Sequence, residues 1–148
     1  MTEVARCLLL FLPMLWLGLV LAISFIEAPL KFRAPGVSLA VGLGIGRLVF
    51  RALNTVEVVL AALLLAACAV AGPGAVSWSL LLATLAVLAV QLLAVRPPLT
   101  RRSNRILAGE QAPRSRMHHA YVVLEIVKVA LLVALAIALA DAVAGAVL

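Results

Sequence analysis

The stretch His119–Ala140, HAYVVLEIVKVALLVALAIALA, runs for 22 residues without a proline or glycine and carries two charged side chains, Glu125 and Lys128. A helix of about 20 predominantly apolar residues matches the hydrocarbon thickness of a bilayer. Leu, Ala and Val dominate the run, so it is read as a membrane-crossing helix that holds two ionisable groups inside it. Three further runs are likewise predominantly Leu, Ala and Val: Cys7–Ile26, Arg47–Ala71 and Ala75–Val95. Together they predict an all-α, integral membrane four-helix bundle that forms a single domain over residues 1–148.

Composition agrees with that solvent. The chain is 66% hydrophobic with a mean hydropathy of +1.25, against an apolar share of roughly half in soluble domains. A secretory signal is the rival reading of the first run, because Arg6 precedes it. The run is longer than a signal's apolar core and lacks an Ala-x-Ala cleavage site, so it is taken as a true helix.

The net charge of +6 is consistent with nucleic-acid binding, but its distribution points to a membrane surface. Lys31, Arg33, Arg47 and Arg51 flank the first connection, and Arg96, Arg101, Arg102, Arg105, Arg114 and Arg116 crowd the third. The second, Gly72-Pro73-Gly74, is uncharged. By the positive-inside rule the basic connections are cytoplasmic and both termini lie outside, an N-out/C-out topology. Each arginine near an anionic headgroup contributes about 1 kcal/mol. Membrane lipids with anionic headgroups are therefore the expected partners, and nucleic acid is not.

Between the runs, proline and glycine set the expected breaks. Pro29 and Pro35 predict that the first helix stops near Glu27, with a helical extension over Val37–Ile45 leading into the second span. Gly42, Gly44 and Gly46 follow no strand and are no dinucleotide fingerprint. The Gly-Pro-Gly turn predicts an antiparallel hairpin with the second and third helices as neighbours. Residues 96–118 form an amphipathic cytoplasmic connection, opened by Pro97-Pro98 and closed before Pro113, with Leu99–Ala108 as a short surface helix. In the last span, alanines at 130, 134, 138 and 142, and again at 136, 140 and 144, form small-residue stripes suited to close helix approach within the bundle or between copies. Ala-rich composition alone also produces such stripes. Cys7 and Cys68 share an expected depth that permits a disulfide, while packing as small apolar residues is the simpler reading.

The polar residues concentrate on two helix faces. At 100° per residue, Arg47, Arg51, Asn54 and Glu57 fall within about 120°, and His118, Tyr121, Glu125 and Lys128 within about 80°. Glu57 and Lys128 each lie ten residues from the cytoplasmic end of their helices, about 15 Å at 1.5 Å per residue. An ionised group near the bilayer centre costs at least about 2.5–3.5 kcal/mol, so such groups seek one another. Glu57 is expected to pair with Lys128, Glu125 to compete for the lysine, and Arg51 and Asn54 to satisfy a carboxylate one turn shallower. Two carboxylates sharing one lysine leave a proton acceptor or cation ligand. Glu27 is placed to bond Arg47 or Arg51 behind this set.

His118 and His119 raise a metal or haem reading, with Tyr121 and Glu125 as further ligands. Adjacent histidines on a regular helix point about 100° apart and cannot both face one metal, and the Glu-x-x-His of di-iron bundles is absent. Ser24, Ser38, Ser77 and Ser79 lie away from the histidines, so no nucleophile and base are paired and catalysis by a triad is not expected. Trp16 sits mid-span as a packing residue. Trp78 and Tyr121 are placed for the aromatic belts at opposite interfaces.

Trp16-Leu17-Gly18, Ala28-Pro29-Leu30 with Phe32, and Gly46-Arg47-Leu48-Val49-Phe50 with Asn54 resemble the first half of small bacterial membrane proteins related to transmembrane protein 205. A histidine opening the last helix, His118 or His119, fits the same pattern. The resemblance covers about the first 60 residues and implies a four-helix membrane domain, with no biochemical activity attached. The resemblance does not place Glu27 or the Glu125/Lys128 pair. The expectation is a multi-pass protein of a bacterial inner membrane that binds or transports a small ligand, ion or proton, with an oligomer needed for a conducting path. Two alternatives stand beside it: a non-catalytic accessory subunit whose charges fix the bundle, and a haem- or metal-binding redox protein.

Overall fold

A computed structural model describes residues 2–112 and 116–146; Pro113 and Arg114, counted above in the third connection, lie outside them. The described residues form four long helices and no strand: α1 (Glu3–Arg33), α2 (Leu39–Ala71), α3 (Ala75–Leu107) and α4 (Arg116–Gly145). Each has 30 to 33 residues and is long and apolar enough to cross a membrane. At 1.5 Å per residue they measure about 45–50 Å.

One spacing explains how they pack. Buried positions recur at alternating intervals of four and three: Ala5, Leu9, Leu12 and Trp16 on α1, with Val20 a further four on; Leu53, Glu57, Leu60, Leu64 and Ala67 on α2; Ser77, Leu81, Thr84, Leu88, Gln91 and Val95 on α3; Tyr121, Glu125, Lys128, Leu132, Leu135 and Leu139 on α4. This period of about 3.5 residues keeps one narrow stripe of each helix turned inward. Trp16, Leu64, Leu81, Leu132, Leu135 and Leu139 fill the centre. Large apolar side chains cover the outer faces as well, among them Phe11, Val70 and Leu93. The inward stripe on α4 is thus the leucine seam, and of its expected alanine stripes only Ala136 is buried.

The prolines bend the expectation without breaking the helices. α1 does not stop at Glu27: it continues through Pro29 to Arg33. A π-helical stretch, Leu21–Glu27, precedes that proline, and in it the Ala28 N–H donates to the Ile23 carbonyl, five residues back. α3 repeats the device. Gln91–Val95 is π-helical, the Arg96 N–H donates to Gln91, and Pro97-Pro98 open the α-helical continuation that runs to Leu107. Proline lacks an N–H and clashes with the carbonyl four residues back. A wide turn placed just before it relocates that hydrogen bond, and at the start of a new α segment a missing donor costs little. The surface helix expected over Leu99–Ala108 is therefore the end of α3, not a separate element.

Helix ends are fixed locally. Thr2 Oγ1 and Ser38 Oγ accept from the N–H groups of Ala5 and Val41, and Gly72 closes α2 in the left-handed region with φ +63. The Gly-Pro-Gly turn does not, however, make α2 and α3 close neighbours. α1 packs against both α2 and α4, α4 packs against α3, and α2 meets α3 chiefly at its final segment. A groove is left between α2 and α3. The end of α1 lies on the glycines of α2: a Cβ at Gly42 would clash with the Phe32 ring, and one at Gly46 would stand 2.8 Å from Lys31 Nζ. Cys7 is exposed, Cys68 is buried, and both are free thiols.

Candidate functional site

Each of the four helices brings a polar group to one level of the interior. Lys128 Nζ is 2.5 Å from Glu57 Oε1, 2.8 Å from Glu125 Oε1 and 2.9 Å from Gln91 Oε1. The ammonium donates hydrogen bonds to Glu57 and Gln91 and forms an ion pair with Glu125. Glu57 Oε1 also accepts from Trp16 Nε1 at 2.9 Å, and Glu125 Oε1 from Gln91 Nε2 at 2.7 Å. None of these five side chains is more than 2% exposed. The lysine thus links α4 across the interior to α2, with Trp16 and Gln91 closing the network from α1 and α3.

The network is saturated on one side and open on the other. Glu57 Oε2 and Glu125 Oε2 are buried and have no hydrogen-bond partner in the protein. Two carboxylates against one ammonium leave a formal deficit of one positive charge if both are ionised.

Beside it lies a cavity of about 460 Å³ between the ends of the helices that carry the basic residues, with Glu125 and Tyr121 among its lining. Phe25, Phe32, Phe50 and Pro29 supply apolar walls, and Lys31, Arg47, Arg96 and Arg102 supply positive charge. The Arg96 guanidinium lies 5.2 Å from the Phe50 ring centre and 5.9 Å from that of Tyr121, and these two rings pack edge to face at 5.7 Å. Stacking holds the arginine but leaves its Nε and Nη2 buried without an acceptor. Ser24 Oγ, from the π turn of α1, is buried without a partner on the same cavity. The Tyr121 hydroxyl stands beside Glu125 without a hydrogen bond of good geometry. Buried polar groups are ordinarily satisfied. Here unsatisfied donors and acceptors from α1, α3 and α4 face one space.

The sequence-derived set divides in two. Glu57, Glu125 and Lys128 come together in the network, and Tyr121 lies next to it. Arg51 and Asn54 do not reach the carboxylates; they line a second groove, between α2 and α3, with Arg47 and Asn104. The reason is angular. Arg51 and Glu57 are 120° apart on α2, wider than the seam, so the arginine emerges on the neighbouring face. Glu27 pairs with Lys31 at 3.2 Å rather than with Arg47 or Arg51, because α1 continues as a helix and brings position i+4 alongside. Arg47 instead donates to Asn104 Oδ1 at 2.8 Å. Tyr121 is buried against Phe50.

His118 is exposed at the cavity's edge and His119 is exposed beside it, their rings 6.2 Å apart at 73°. Among the described residues no group of three or more His, Cys, Asp or Glu is placed to hold a metal ion.

Three participants escaped the sequence reading. Gln91 is the sole side-chain amide of its apolar run, and Ser77, Thr84 and Gln91 stand seven residues apart, a polar heptad stripe that was legible. Trp16 was assigned to packing, yet its indole N–H is a donor that a buried carboxylate can use. Arg96 was counted with the surface charges. Comparison with family models, curated proteins and solved structures finds no match to this chain.

Proposed function

We propose that this is a multi-pass protein of a bacterial inner membrane, N-out and C-out, that binds a small organic anion from the cytoplasmic side next to a proton-exchanging carboxylate pair. The observation that carries the reading is the convergence of unsatisfied Arg96, Ser24 and Glu125 groups on one cavity with aromatic walls. An arginine with two free donors suits an acidic group on the ligand, while Glu125 Oε2 accepts from a donor on the same ligand or from a proton. The aromatic rings favour a compact apolar body between them. Four helices that are apolar all round support the membrane placement, since a water-soluble chain would not expose so many large apolar side chains.

Transport, as distinct from binding, needs an assembly of copies, because one bundle of four helices closes its own centre with leucine. The reading is tested by untargeted mass spectrometry of small molecules released from the purified protein. Wild type is expected to release an anionic species that Arg96→Gln and Glu125→Gln each deplete at least tenfold. Identical release profiles reject the reading.

One observation favours an accessory, structural role instead: every helix contributes to the network around Lys128, as a register lock would require. Under that role the exchange of Glu57→Lys with Lys128→Glu restores assembly and all function. Under ligand binding it restores assembly only.

A further inference from the structure

We infer that the groove between α2 and α3 is a binding site for a single acidic phospholipid. The inference rests on the membrane placement proposed above and is independent of the buried carboxylates.

The groove has a volume of about 750 Å³. Its two walls are rows of side chains at helical spacing: Arg47, Arg51, Asn54, Thr55 and Val58 on α2, facing Asn104, Thr100, Arg96 and Leu92 on α3. The helices run in opposite directions, and the Arg47–Asn104 hydrogen bond fixes their register at one end. Level by level, the groove then changes character along its length. Three arginines with amide and hydroxyl groups occupy one end, and Val58, Val59 and Leu92 the other. The change runs from the basic end of the bundle toward its middle, as a lipid does from phosphate to acyl chain. Three arginines line this surface and no carboxylate does, so its charge calls for an anion. Guanidinium groups meet phosphate oxygens with paired N–H donors, and Asn54, Thr55 and Thr100 offer further donors to glycerol or headgroup oxygens. A soluble anion would use the arginines alone. The apolar half of the groove, with Val58 and Val59 about half exposed, is accounted for by an acyl chain.

The same arginine joins this groove to the cavity, because Arg96 lines both. A phosphate drawing its guanidinium outward would withdraw the donor that the cavity offers, so lipid occupancy and ligand binding compete for one side chain.

The test uses the full-length protein in detergent micelles, titrated with phosphatidylglycerol or phosphatidylcholine and read by native mass spectrometry. Phosphatidylglycerol is expected to remain bound at least tenfold more strongly than phosphatidylcholine. At about 1 kcal/mol per arginine near an anionic headgroup, Arg51→Gln should weaken its retention about fivefold. Arg101→Gln, an exposed arginine of α3 outside the groove, should leave retention unchanged; helicity by circular dichroism confirms that both variants fold. Equal retention of the two lipids overturns the site, as does an equal loss in Arg51→Gln and Arg101→Gln, which would report diffuse surface charge. Displacement of the lipid by millimolar inorganic phosphate overturns it in favour of a soluble anion. A chain that fractionates with the aqueous phase fails the membrane placement first, before any lipid is counted.

Discussion

Replacing Lys128 with Met keeps the length and removes the charge, and the structure sets the consequence. Lys128 Nζ is the partner of two fully buried carboxylates, at 2.5 and 2.8 Å. Without it, Glu57 keeps only the Trp16 indole donor and Glu125 only the Gln91 amide. Removing one partner of a buried ion pair costs about 3–5 kcal/mol. Two stranded acids would double that figure, but protonation of a carboxylate caps its penalty, as does the modest cost of about 2.5–3.5 kcal/mol for a charge within a bilayer. A loss of about 3–4 kcal/mol follows, a large part of the 5–15 kcal/mol that holds a typical domain together.

The control is as informative as the variant. In Lys128→Met with Glu57→Gln and Glu125→Gln, no charge is left to strand, and the amides can share donors and acceptors with Gln91 and Trp16. Stability should return to within about 1 kcal/mol of wild type. Reversible unfolding in mixed detergent–SDS micelles, followed by far-UV circular dichroism, measures both. A cost below about 1 kcal/mol for Lys128→Met, or a triple variant no more stable than the single one, would falsify the account of the network as a charge-sharing unit.

Other consequences are sharper in kind than in size. Gln91→Leu removes both an acceptor from Lys128 and a donor to Glu125 and should cost about 1–3 kcal/mol in the same unfolding assay; a neutral result would mean the amide merely fills space. Cysteine chemistry reports the packing, since Cys7 should react with maleimide in the folded protein while Cys68, fully buried, reacts only after denaturation. On a cysteine-free background, a thiol introduced at Gly74 should be labelled by an impermeant reagent from outside intact cells and one at Ser103 only after lysis; the opposite pattern inverts the topology. Gly42→Ala places a methyl where the Phe32 ring now lies, and should loosen the end of α1 from α2, seen as faster hydrogen exchange over residues 28–33 with the centre of α1 unchanged.

The bundle was legible because its evidence is one-dimensional: length, hydropathy and the sign of charge along the chain name four helices without any knowledge of neighbours. Glu57 and Lys128 were likewise legible, since equal depth on inward faces leaves buried charges few partners. Pairwise geometry was not. The hairpin turn implied adjacency along the whole length, but a turn constrains only where two helices begin, and beyond it α2 and α3 meet chiefly where the end of α3 reaches Arg47. Arg51 and Asn54 shared an arc with Glu57, but an arc of about 120° spans two grooves of a bundle packed on a seam. Gln91 was hidden by a boundary error. With α3 ended at Pro97-Pro98, Gln91 sits near the interface; with α3 continued to Leu107 it stands level with Lys128.

The continuation of α1 and α3 past their prolines also builds the site. Pro29 and the Pro97-Pro98 pair are each preceded by a π turn, and both turns supply the cavity: Ser24 and Phe25 lie within the first, and Arg96 closes the second. A regular helix cannot carry proline mid-course without losing a hydrogen bond. A wide turn can, at the cost of local regularity, and it resets which residues face inward beyond it. In α1 and α3 the apolar seam thus lies on one side of the π turn, with Ser24 and Arg96 at the cavity. The network around Lys128 marks the changeover, with close-packed leucine on one side and the cavity on the other. Ser24 Oγ and the Arg96 Nε and Nη2 are unsatisfied at the two π turns, whereas Tyr121 and Glu125 bring theirs from the regular helix α4, and the ligand proposed above would meet both sets.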